Sequence, residues 1–124
     1  MSINLLGPYL EIPKGDARNF TLQLIDNDGN PYDLTNSTEI TFIVVESDTE
    51  GAATVFSCTL TGTDITIVGA ATDGTIKVIV IPEDTTSETA GEKVWEVEVQ
   101  ESVGGPYTTE KGTFNILQSH VPAV

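Results

Sequence analysis

Apolar and polar side chains alternate along most of this chain, and no long stretch shows the three-to-four apolar spacing of an amphipathic helix. Residues 18–26 set Phe20, Leu22 and Leu24 on one side with Thr21 and Gln23 opposite, and residues 38–46 set Ile40, Phe42 and Val44 against Glu39 and Thr41. The same period continues through 55–60 (Phe56, Cys58, Leu60), 64–68 (Ile65, Ile67), 75–81 (Ile76, Val78, Val80), 93–101 (Trp95, Val97, Val99 against Glu96, Glu98, Gln100) and 108–117 (Phe114, Ile116). Successive side chains of an extended strand point to opposite faces, so each stretch predicts a half-buried β-strand, about seven in all. Ile79 and Ile81 make the second face of 75–81 apolar too, which predicts a strand covered on both sides near that end.

Turn chemistry falls between these strands: Asp28-Gly29-Asn30-Pro31, Thr61-Gly62-Thr63-Asp64, Asp73-Gly74 and Gly104-Gly105-Pro106 supply residues suited to positive or fixed φ. Short strands at this spacing predict an all-β sandwich or barrel. Pro82 followed by Glu83 and Asp84 predicts a single helical turn opening a crossover between sheets. The expected division is an N-terminal arm or edge strand over 1–13, a β domain over 14–117 and a C-terminal tail over 118–124. The first arm holds Leu5, Leu6, Tyr9, Leu10 and Ile12, much apolar surface for a segment ahead of the first clear strand, and the tail includes His120 and Val121. Two readings of the arms are open: contact with another subunit, through Leu5, Leu6, Tyr9, Leu10, His120 and Val121, or a locally packed edge strand and a frayed end.

Size and charge narrow the classes. The chain has 124 residues, 39% of them apolar, enough for one core without metals or disulfides. No apolar run approaches the roughly 20 residues of a membrane-spanning helix, and no leader-like segment opens the chain, so neither a membrane partner nor signal-directed secretion is expected. Five basic against 19 acidic residues give a formal charge of −14, which repels phosphate backbones and argues against nucleic acid as a partner. The acidity suits solubility at high local concentration, or a basic partner. The single cysteine, Cys58, is in phase with Phe56 and Leu60 and is expected to be a buried, inert thiol.

The chemical inventory is thin, and neither an enzyme nor a cofactor is expected. His120 is the sole histidine and lies in the tail, so one chain holds no Ser/His/Asp triad and no histidine metal cluster. Neither GxGxxG nor GxxxxGK[ST] occurs. Glu96 and Glu98 share a strand face about 7 Å apart, a glycosidase-like separation, yet their alternation with Trp95, Val97 and Val99 marks the solvated side of a half-buried strand. Asp26-Asn27-Asp28-Gly29-Asn30 begins like a calcium loop, but no glutamate follows at the spacing of that motif, which leaves a loop turn or a weak cation site. A carbohydrate- or host-surface-binding module is the alternative, with Tyr9, Tyr32 and Tyr107 as candidate exposed rings and Trp95 in phase with the core.

Order and spacing of small motifs carry a resemblance. Ile12-Pro13-Lys14-Gly15-Asp16 leads into Phe20-Thr21-Leu22, followed by Asp26, Asp28-Gly29, Pro31, Asp33-Leu34-Thr35 and Ile40-Thr41-Phe42. The second half adds Gly74-Thr75-Ile76, Val78, Val80, Pro82, Asp84-Thr85, Ala90-Gly91, Trp95-Glu96-Val97-Glu98-Val99, Tyr107-Thr108 and Gly112-Thr113-Phe114. Over 10–116 this resembles the N-terminal domain of siphophage baseplate upper proteins, with Trp95 where that pattern usually has tyrosine. The resemblance implies an immunoglobulin-like β-sandwich of about seven strands with extended N- and C-terminal arms. It further implies a virion protein of tail, baseplate or head, assembled in the host cytoplasm, whose partners are other virion proteins. A symmetric homo-oligomer or repeated copies on the particle is then expected.

Overall fold

The computed structural model describes residues 9–109 and 111–118; Leu5, Leu6, His120 and Val121 lie outside them. Among the described residues nine strands form two sheets: β1 (Leu10–Pro13), β2 (Arg18–Gln23), β3 (Ser37–Val45), β4 (Thr54–Thr59), β5 (Ile65–Ile67), β6 (Thr75–Val80), β7 (Gly91–Glu101), β8 (Tyr107–Thr108) and β9 (Gly112–Leu117). The larger sheet runs β1-β9-β7-β3-β4 with β8 also on β7, and the smaller runs β2-β6-β5. This two-sheet order is that of an immunoglobulin-like sandwich. No helix among the described residues is long and apolar enough to cross a membrane.

The alternating positions meet between the sheets. Ile40, Phe42 and Val44 of β3, Trp95, Val97 and Val99 of β7, and Phe114 and Ile116 of β9 face Leu22 of β2, Ile65 of β5 and Ile76, Val78 and Val80 of β6, all buried. All four phenylalanines and the lone tryptophan form one aromatic cluster. Phe42 stacks on Trp95 at 5.4 Å, and Phe114 meets Phe20 at 5.7 Å and Phe56 at 5.4 Å edge-on, the offset and T-shaped arrangements that ring quadrupoles favour.

The strand count exceeds the expected seven for two reasons. Residues 10–13 of the N-terminal arm form an edge strand of their own sheet, pairing in parallel with β9 from Leu10↔Phe114 to Pro13↔Leu117. The stretch 108–117 is interrupted: β8 pairs with β7 in one register (Glu98↔Thr108) and β9 in another (Trp95↔Gly112). At the break, the buried Thr109 keeps β7 satisfied, its N–H donating to Val97 O and its hydroxyl accepting from the Val97 N–H, both at 2.9 Å.

The expected helical turn at Pro82 is a short 3₁₀ turn, Pro82–Asp84, in the crossover from the smaller sheet to the larger. Asp84 Oδ2 accepts the Ile81 N–H at 3.0 Å, and the buried Thr85 hydroxyl accepts the Gly15 N–H at 2.8 Å, tying the crossover to the β1–β2 connection. One expectation is corrected here. The second face of β6 is only partly covered: Ile79 is half-buried and Ile81 is 46% exposed, because β6 is the middle strand of the smaller sheet and no third layer lies over it among the described residues.

Two glycines hold the packing open. A Cβ on Gly112 would lie 2.5 Å from the Trp95 ring, and one on Gly74, at φ +66°, would lie 2.7 Å from the carbonyl oxygens of Leu24 and Tyr32. Gly112→Ala is therefore expected to displace Trp95, costing about 1–3 kcal/mol in denaturant unfolding and shifting the emission of the only tryptophan. Phe42→Ala, which empties the centre of the ring cluster, is expected to cost about 3–5 kcal/mol in the same measurement.

Candidate docking surfaces

The residues singled out in the sequence separate into buried supports and exposed faces. Trp95 is fully buried, as its phase indicates, and Glu96 and Glu98 lie on the outer face of β7, half-buried and exposed. Across the sheet Glu96 stands beside Ile43 and Glu98 between Thr41 and Thr108. The Asp26 loop is a hairpin turn. Ile25 and Pro31 bridge, Asp26 N–H donates to Asn30 O, and Asp26 Oδ1 accepts the N–H groups of Asp28 and Asn30 at 2.9 and 3.0 Å. No group of three or more His, Cys, Asp or Glu side chains among the described residues is arranged to hold a metal.

Tyr32 departs from its expected exposure. It is fully buried, its N–H donates to Leu24 O at 2.8 Å, and its hydroxyl donates to Glu101 Oε1. Burial, then that hydrogen bond and the negative charge of Glu101, raise the phenol far above its ordinary pKa. Tyr107 is half-buried and packs on the core edge. Tyr32 and Tyr107 are therefore a buried and a half-buried ring. Cys58 is 1% exposed, its Sγ is 3.5 Å from Ile79 O, and burial first, then Asp84 and Asp64, pushes its thiol up to about 12.

Of the expected contact residues, Tyr9 and Leu10 are described. Leu10 is 8% exposed and its side chain joins the core, so it offers no outer surface; parallel pairing with β9 turns it inward. Tyr9 is 55% exposed, and its hydroxyl accepts from Asn115 Nδ2 at 2.7 Å on the outer side of the larger sheet.

That outer side carries what sequence phase left aside. Ile43, Val45 and Val94 are half-buried, Val94 lies between Val45 and Thr113 across the strands, and Ile43 lies between Glu96 and Ser57. The signal is the unbroken apolar run Phe42-Ile43-Val44-Val45, which makes both faces of β3 apolar. Around this row are carboxylates and few cations: Lys111 pairs with Asp48, which raises its pKa through a hydrogen bond and charge, and the buried Lys93 reaches Glu46 at 2.8 Å. Lys93 shares the phase of Trp95, so its stem fills core space while its ammonium reaches a half-exposed carboxylate. At the far end, Glu39 accepts from the Thr61 hydroxyl and backbone N–H, which lowers its pKa and fastens the turn after β4.

No protein-family model matches the sequence, and no curated protein matches it. Among solved structures, the N-terminal domain of phage TP901-1 ORF48 is similar at a TM-score of 0.60 and 13% identity over 95% of both chains. A chicken TCR is similar at a TM-score of 0.52 and 12% identity, over 98% of this chain and 58% of that one. These likenesses establish the immunoglobulin-like fold.

Two outcomes follow from the buried groups. Cys58 is expected to react with a thiol reagent only at the rate of unfolding, measured by its absorbance with and without denaturant. Tyr32→Phe is expected to cost about 1–2 kcal/mol at neutral pH. The contribution of the phenol is complete below its unfolded pKa and lost as pH rises through the higher folded value, so the variant and parent should converge in strong alkali.

Proposed function

We propose that this protein is a non-enzymatic structural adaptor of a bacteriophage particle, placed in the tail, baseplate or head, which works by docking to other virion proteins. The observation that carries the reading is the agreement in fold, over nearly the whole length of both chains, with a domain from a phage protein. The ordered motifs from Ile12-Pro13 to Gly112-Thr113-Phe114 point the same way. A two-sheet block with a close-packed ring cluster is stiff, and it presents a half-buried apolar row with carboxylates around it as a surface for a neighbour. Repetition on a symmetric particle lets weak individual contacts add.

The host-surface alternative keeps Tyr9 as its exposed ring, with Tyr32 inside the core and Tyr107 packed at its edge. The net charge of −14 favours protein neighbours with basic or uncharged faces over phosphate backbones.

The test is to label the protein at its C-terminus and image purified particles. Label in a ring or lattice of fixed spacing is the expected result, and its position assigns head or tail. Particles that lack the protein altogether overturn the reading.

A further inference from the structure

We propose that the outer face of β3 seats one amphipathic helix of a partner protein, which lays two apolar side chains on Ile43 and Val45 and turns two lysines or arginines toward Glu96 and Glu98.

β3 lies between β7 and the edge strand β4, and its outward column is Thr41, Ile43 and Val45, all half-buried. Its inward column, Ile40, Phe42 and Val44, is the one that packs into the core. The outward face of a strand wet on one side is ordinarily polar, as β7 shows with Glu92, Glu96 and Glu98. β3 departs from that rule at Ile43 and Val45, and Val94 beside Val45 widens the apolar end.

The two flanks of this column differ in charge. On the β7 side Glu98 stands opposite Thr41 and Glu96 opposite Ile43. On the β4 side Thr59, Ser57 and Thr54 stand opposite Thr41, Ile43 and Val45. Lys111 comes near Glu96, but its ammonium is held by Asp48. Neither Glu96 nor Glu98 forms an ion pair among the described residues. The face therefore offers an apolar column with unpaired negative charge along one side and hydroxyls along the other.

The spacings fit a helix. Residues two apart on one strand face are about 6.7 Å apart, and residues four apart on a helix rise about 6 Å. A helix lying along β3 can thus set one i, i+4 apolar pair on Ile43 and Val45 and an adjacent i, i+4 basic pair on Glu98 and Glu96. Its width of about 10–12 Å matches the roughly 10 Å from β7 to β4. A second sheet laid on this face would cover both glutamates and strip their water, at a cost that a buried charge repays only with a close partner. One helix leaves the carboxylates at its flank, where long basic side chains reach them while their stems stay on the apolar column. The inference rests on the docking reading and names the chemistry of the partner; the contact is small, so repetition on a particle strengthens it.

The probe is a capped 14-residue peptide of leucine, alanine and lysine with leucines four apart and lysines four apart beside them, too short to be stably helical alone. Its helical signal in circular dichroism is expected to rise on mixing with the protein, and a counterpart with glutamate for lysine is expected to stay unfolded and unbound. By anisotropy of labelled peptide, Glu96→Gln with Glu98→Gln is expected to weaken binding at least ten-fold. Asp28→Asn with Glu83→Gln, which removes the same charge at two exposed positions off this face, is expected to change it less than two-fold. Ile43→Thr, which keeps the β-branch and is checked for folding by Trp95 emission, is expected to weaken it to a similar extent as the glutamate pair. A lysine peptide that gains no helix, equal losses from the two charge pairs, or a folded Ile43→Thr that binds like the parent would each overturn the proposal. These outcomes are separate from particle imaging: absence from particles removes the virion reading, whereas failure of the peptide to bind removes the helix and leaves the location standing.

Discussion

The contact between Phe42 and Trp95 is the point on which the two-sheet packing turns. These rings come from adjacent strands of the larger sheet and stack at 5.4 Å, and Phe42 also meets Phe56 and Phe114, so β3, β4, β7 and β9 are fixed to one another through a single side chain. Phe114 passes the contact to Phe20 across the sandwich, which sets how the smaller sheet lies on the larger. Rings placed edge to face tolerate little sliding, so strand register and sheet spacing are set together. Gly112 belongs to the same arrangement, because the space a side chain would occupy there is filled by the Trp95 indole.

The fold was legible wherever a strand is wet on one side. In β7, Trp95, Val97 and Val99 alternate with Glu96 and Glu98, and burial follows the letters position by position. Legibility failed where the period is absent or carries a second meaning. Tyr32 sits in a turn-rich stretch with no alternation; its burial comes from backbone bonding to Leu24 and from the close approach of Gly74, both set by tertiary contact. β1 pairs in parallel with a strand at the other end of the chain, an association that no local turn announces. Lys93 keeps core phase with a charged head because its stem is apolar and the end of the sandwich lets the ammonium out to Glu46.

The candidate surfaces were less legible than the fold. Sequence phase sorts residues into inner and outer faces, but it does not say which outer face is flanked by others, which edge is covered, or which tyrosine hydroxyl finds a buried acceptor. Ile43 and Val45 look like additional core in the run Phe42-Ile43-Val44-Val45, and only the pairing of β3 between β4 and β7 shows that they sit half-buried on the outer face of the larger sheet. Tyr9, by contrast, kept its expected exposure, since it precedes β1 on the outward side.

The parallel pairing of β1 with β9 has a mechanical consequence. The chain enters the sheet beside Phe114 and leaves it beside Pro13, so entry and exit lie at opposite ends of one edge. Tension applied between Tyr9 and Gln118 runs along both strands in opposite senses, and the bonds between them, including Lys14 N–H to Leu117 O at 2.9 Å, bear it together in shear. Bonds opened one at a time from an end yield at low load, whereas bonds sheared side by side must fail at once. The edge that looks least protected by length is therefore the part of the molecule best placed to resist being pulled along its axis.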